Sequence, residues 1–109
     1  MKKLLVLLSL ISIMSLAAFG EVANGKWALQ GSVKNAPKVL ALRVDGTKLS
    51  GTMDGVPISN GKVEGDFLWF EVVRQGVTTQ YKGRVTGDKI GLFESGPQAK
   101  RNLSFSRSH

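Results

Sequence analysis

The chain contains no cysteine, which rules out a disulfide scaffold, a thiolate metal site and a cysteine nucleophile. Histidine occurs once, at position 109, leaving no internal imidazole for a Ser–His–Asp triad or a multi-histidine metal centre. Beyond the first twenty residues there is no sustained 3.6-residue hydrophobic periodicity, so amphipathic helices are not expected, and no Gly-rich phosphate loop opens one. What the 109 residues do contain is 42% hydrophobic residues and 13 glycines, a globular composition too short for more than one domain.

The N-terminal segment has the three parts of a secretory signal. Lys2 and Lys3 supply the positive start, and Leu4 to Leu16 form an apolar run broken only by Ser9, Ser12 and Ser15. Ala18 and Gly20 place small residues at −3 and −1, which predicts cleavage after Gly20. The apolar stretch is shorter than the roughly 18–20 residues that cross the hydrocarbon core, which disfavours an uncleaved anchor. No Cys follows it to carry a lipid. The expected organisation is a signal peptide at 1–20 and a single domain at 21–109, exported to a bacterial periplasm or the exterior. Removing Lys2 and Lys3 takes the basic count from 15 to 13 and the formal charge from +7 to +5. No integral membrane protein is expected after cleavage. Eight spanning strands of about 9–11 residues plus loops would consume the whole chain.

Short β-rich runs alternate with turn dipeptides along the remaining chain: Asp45-Gly46, Asp54-Gly55, Asn60-Gly61, Gly65-Asp66, Gln75-Gly76, Gly87-Asp88 and Gly96-Pro97. This spacing predicts an all-β fold with about eight strands, at 26–33, 38–44, 48–53, 57–63, 67–74, 78–85, 89–94 and 103–107. Connections this short pair neighbours antiparallel, so the expected architecture is a small up-and-down β-barrel, a streptavidin- or lipocalin-like meander. The segment Asn60-Gly-Lys-Val-Glu-Gly-Asp66 recurs as Lys82-Gly-Arg-Val-Thr-Gly-Asp88, 22 residues later. Shared hairpin turn chemistry accounts for the repeat. Each copy offers one carboxylate and no Asp-x-Asp-x-Asp loop, so no calcium site, other metal or cofactor is expected.

Alternation assigns Trp27, Leu29, Val33, Leu40, Leu42, Val44, Leu49, Met53, Leu68, Phe70, Val72, Tyr81, Val85, Ile90, Leu92, Leu103 and Phe105 to the interior. Ile58 and Val63 have opposite parity yet both read as core, which predicts a bulge at Asn60-Gly61. Tyr81 is the one polar side chain expected on the inward side of the middle strands, and a filled interior is favoured over a ligand cavity. The fifth strand breaks the pattern, because Phe67, Trp69 and Val73 face away from Leu68, Phe70 and Val72. Either a neighbouring loop such as Asn35–Lys38 covers that outer stripe, or it contacts a partner, a sugar polymer or a second copy of the chain.

Catalytic arrangements find little support. Most carboxylates sit beside turns, and Glu71, a strand residue, is expected to pair with Lys82 or Arg84 on the next strand. Lys82, Arg84, Lys100, Arg101 and Arg107 read as a solvated basic surface, the alternative being an anionic partner such as nucleic acid, lipopolysaccharide or an acidic polysaccharide, and export argues against nucleic acid.

The series Gly25-Lys-Trp27, Val44 to Gly51, Ile58 to Asp66, Tyr81 to Asp88 and Phe105-Ser-Arg107 resembles small secreted bacterial β-domains. In strand and turn pattern it is distantly similar to avidin-like barrels, a likeness that implies a fold and carries no biotin pocket. The leading expectation is an exported non-enzymatic barrel, binding a macromolecule or itself through Phe67, Trp69 and Val73. An alternative is a small-ligand carrier using a barrel mouth near Trp27, Tyr81 and Phe105. A weaker alternative is a hydrolase using Glu71 and Glu94, whose carboxylates would then have to sit within about 10 Å of each other.

Overall fold

The computed structural model describes residues 23–97 and 100–108, so the signal segment predicted at 1–20 lies outside the described residues. Its eight strands are β1 (Gly25–Leu29), β2 (Val39–Asp45), β3 (Lys48–Met53), β4 (Val56–Glu64), β5 (Phe67–Arg74), β6 (Val77–Thr86), β7 (Lys89–Ser95) and β8 (Lys100–Arg107). Each strand pairs antiparallel with the next, and β8 returns to β1 to close an up-and-down barrel in chain order.

Turn chemistry enforces this topology. Five connections are two-residue hairpin loops. At Asp54-Gly55 and Gln75-Gly76 both residues have positive φ, as a type I′ turn requires. Gly46, Gly65 and Gly87 put glycine at positive φ in the first loop position, as a type II′ turn does. In both copies of the repeat, the aspartate after that glycine is held by an arginine. Asp66 pairs with Arg84 at 3.4 Å, and Asp88 pairs with Arg107 at 3.2 Å.

The strand predicted from Lys26 to Val33 is shorter in the structure. The chain leaves the ladder after Leu29, where Gly31 at φ 75 and Asn35 at φ 59 turn it into the long β1–β2 connection. Val33, predicted to face inward, is consequently 38% exposed.

The interior is one cluster in which Trp27, Leu40, Met53, Leu68, Phe70, Ile90, Leu92 and Phe105 are fully buried. Rings contributed from β1, β5 and β8 fill the space that opposing strands leave near the axis, as close packing demands. The predicted bulge is present. Register shifts between Ser59 and Lys62 on the β4–β5 side, and Asn60 adopts φ 53. One inserted residue resets the period of two, so Val63 is buried while Ile58 packs against the same core. Gly61 and Gly83, the matching glycines of the repeat, stand where neighbouring backbone crosses their inner side. A Cβ would overlap the Leu49 carbonyl at the first and the Gly91 carbonyl at the second. These contacts let the sheet coil tightly enough to close with so few residues.

Candidate functional site on the outer wall

The register of β4 to β8 builds the outer wall in rows. In one row Lys62 is opposite Trp69, Trp69 is opposite Lys82, and Lys82 is opposite Phe93. In the next, Glu71 is opposite Gln80, Gln80 is opposite Ser95, and Ser95 is opposite Lys100. Trp69 and Phe93 are half-buried, and the side chains around them bound a groove of about 950 Å³.

Glu71 sits in this groove without a cationic partner. It accepts a hydrogen bond from Asn60 Nδ2 at 2.8 Å and a longer one from Gln80 Nε2 at 3.4 Å. The expected pairing with Lys82 or Arg84 does not form, because the register puts Gln80 across from Glu71 and Trp69 across from Lys82. Arg84 is instead drawn to Asp66, and its guanidinium stacks 4.2 Å above the Phe67 ring. Among the described residues the ion pairs are Arg84–Asp66, Arg101–Glu94 and Arg107–Asp88, none of which uses Lys62, Lys82 or Lys100. Three ammonium groups therefore surround the two rings, with one carboxylate among them.

Of the outer residues named from sequence, Phe67 and Trp69 both line the groove. Phe67 is 48% exposed at its edge, partly roofed by Arg84. Val73 is equally exposed but stands apart, opposite Thr78 near the β5–β6 hairpin. The segment Asn35–Lys38 does not cover the stripe. It folds across the barrel end, where Arg101 donates to the Lys34 carbonyl at 2.7 Å and the Asn35 carbonyl at 2.9 Å.

That end of the barrel holds a buried polar group on the parity of Ile90 and Leu92. Glu94 is buried, accepts from the Tyr81 hydroxyl at 2.7 Å, and pairs with Arg101 Nε at 2.6 Å. Tyr81 stacks on Phe70 with ring centroids 5.1 Å apart. Burial, reinforced by the hydrogen bond to Glu94 and its negative charge, pushes the Tyr81 phenol well above its ordinary value. Arg74, from β5, donates to the Met53 carbonyl at 3.0 Å beside this group. A recess of about 440 Å³ opens here between Pro37, Arg74, Tyr81, Glu94 and Arg101. Tyr81 is therefore not the only inward polar side chain, because Glu94 and Arg101 share the inner face with it.

Trp27 does not join Tyr81 at a common mouth. It is fully buried near the other end, its indole N–H bonded to the Ala23 carbonyl at 3.1 Å and its ring covered by the Arg107 guanidinium at 4.2 Å. Phe105 is fully buried as well. Glu71 and Glu94 lie on opposite faces of the wall, one in the row of Gln80 and Ser95, the other inside against Tyr81. The two carboxylates therefore do not share a face of the sheet.

Sequence reasoning missed Phe93 and the three lysines as site members. The available signal was Leu92-Phe93, a second place where apolar residues occupy both faces of a strand. Lys82 and Lys100 were visible as basic residues, but only cross-strand register shows that Lys62 and Lys82 flank Trp69 and that Lys100 stands opposite Ser95.

Together these features define a class: a small closed antiparallel barrel with a filled interior and an aromatic, lysine-rimmed groove outside. Comparison with known protein families, curated proteins and solved structures gives no match to this chain.

Proposed function

We propose that this protein is an exported, non-enzymatic binding barrel that holds a macromolecular partner on the outer wall of β4 to β8. The observation that carries this reading is the groove itself, where Trp69 and Phe93 lie half-buried on either side of Lys82 and no other described segment covers them. Aromatic side chains present large, rigid area at low entropic cost, and they dominate contact energies wherever macromolecules meet. The opposed placement of Glu71 and Glu94 supports the non-enzymatic reading, since it removes the one carboxylate pair with a stated mechanism.

The test is the double variant Trp69→Ala with Phe93→Ala, compared with the parent chain in sedimentation and in partner retention from periplasmic extract. Loss of retention, or a shift to a smaller species, with an unchanged circular dichroism spectrum is the expected result. If both measurements stay as in the parent, the groove has no binding role.

A second reading, carriage of a small ligand, draws support from the 440 Å³ recess beside Tyr81 and Arg74. Its polar groups are already engaged with one another, which makes it the weaker of the two.

A further inference from the structure

We infer that the occupant of the outer groove is an acidic polysaccharide, with sugar rings stacked on Trp69 and Phe93 and its anionic groups held by Lys62, Lys82 and Lys100. This rests on the binding reading given above and assigns the chemistry of the partner.

Charge is the first argument. The three lysines are exposed and take part in none of the ion pairs among the described residues, while the groove contributes a single carboxylate, Glu71. Unpaired ammonium groups around a concave surface attract a polyanion and concentrate it there. Lys62 and Lys82 flank Trp69 in one row, two inter-strand spacings or about 10 Å apart. A linear anionic chain running across the strands meets cation, ring and cation in turn.

Hydrogen-bonding chemistry is the second argument, and it separates a glycan from other polyanions. Beside the rings runs a strip of Asn60, Glu71, Gln80 and Ser95, which offers both donors and acceptors. A sugar ring carries hydroxyl groups that donate as well as accept, so it can satisfy Glu71 and the amides together. A phosphodiester backbone only accepts, so it leaves the Glu71 carboxylate without a donor. Nucleic acid is disfavoured on that ground.

A second copy of the chain is disfavoured by symmetry. In a two-fold interface the same patch meets itself, which would set Lys62, Lys82 and Lys100 against their own equivalents. Phe67 does not act as a third platform, because Arg84 already lies over its ring at 4.2 Å.

The experiment titrates the mature chain with polygalacturonate, with neutral dextran and with a single-stranded oligonucleotide, following tryptophan fluorescence and binding heat. Trp27 is sealed in the core, so a fluorescence change reports Trp69. Polygalacturonate is expected to bind at low salt and to weaken roughly tenfold as salt rises, since displaced counterions no longer favour the complex. Lys62→Gln with Lys82→Gln should weaken it by about tenfold, and Trp69→Ala should abolish it. The lysine variant keeps the inference testable if Trp69→Ala perturbs folding. Equal or tighter binding of dextran or of the oligonucleotide overturns the inference and leaves the groove a binding site of other chemistry. Binding of none of the three also overturns it, and the wider reading is then decided by the double aromatic variant.

Discussion

The Tyr81 hydroxyl donates a 2.7 Å hydrogen bond to Glu94 inside the barrel, and the other Glu94 oxygen takes a 2.6 Å bond from Arg101. One buried carboxylate thus joins β6, β7 and β8, and through Arg101 it reaches the β1–β2 connection that closes this end.

The pH consequence follows from the raised Tyr81 phenol, whose first cause is burial and second the bond to Glu94. The folded barrel keeps that proton more tightly than the unfolded chain does. Stability from this group is fully present below the ordinary phenol value of about 10 and is lost as pH rises above it. Tyr81 is the chain's single tyrosine, so tyrosinate absorbance reads it directly. The folded protein should titrate well above the denatured protein, and denaturation midpoints should fall on the alkaline side of that ordinary value.

Arg101→Ala removes the cation from Glu94 and the two donors from the Lys34 and Asn35 carbonyls. The Arg101 side chain is 27% exposed and that of Glu94 is 9% exposed, so the lost pair is only partly screened by solvent. Leaving a buried carboxylate without its partner should cost about 3 kcal/mol in urea denaturation. Protease sensitivity should appear first in the segment 30–38.

Two strand glycines separate packing from conformation. Gly83→Ala drives a Cβ into the Gly91 carbonyl, whereas a Cβ on Gly91 itself meets open space. The first substitution should cost about 3 kcal/mol by forcing β6 and β7 apart, and the second should stay within about 0.5 kcal/mol. Thermal melts of the two variants check this, and equal effects would mean that the close approach at Gly83 does not govern closure.

At the bulge, Asn60 holds φ 53, a conformation that asparagine and glycine tolerate and β-branched residues do not. Asn60→Gly and Asn60→Val both remove the amide bond to Glu71, so their difference isolates the backbone. Valine should be the less stable by about 1–2 kcal/mol in chemical denaturation.

The eight strands were legible in the sequence because turn glycines and a period of two are local properties. Asp54-Gly55 and Gln75-Gly76 announce hairpins by themselves, and alternation in Phe67–Arg74 separates Leu68, Phe70 and Val72 from the outer face. Even the bulge was legible, since Ile58 and Val63 cannot share a face without an added residue. The end of β1 was not, because apolar spacing continues to Val33 while Gly31 turns the backbone away after Leu29.

The site was only half legible, for a reason that lies in sheet geometry. Alternation tells which way Trp69 points but not what stands beside it, because neighbours across a sheet are set by register between strands. The fold of β4 to β6 places Lys62 and Lys82 on either side of Trp69, and β7 adds Phe93. The internal group shows the same limit: alternation carries on from Ile90 and Leu92 to Glu94 and back from Leu103 to Arg101, but only the β7–β8 ladder sets the two charges opposite each other on the inner face. The sequence by itself determined the strands, the turns and the inward apolar set, all written in spacing along the chain. The tertiary structure alone decided which charges gather around the outer rings and which meet one another inside, because those distances run across strands.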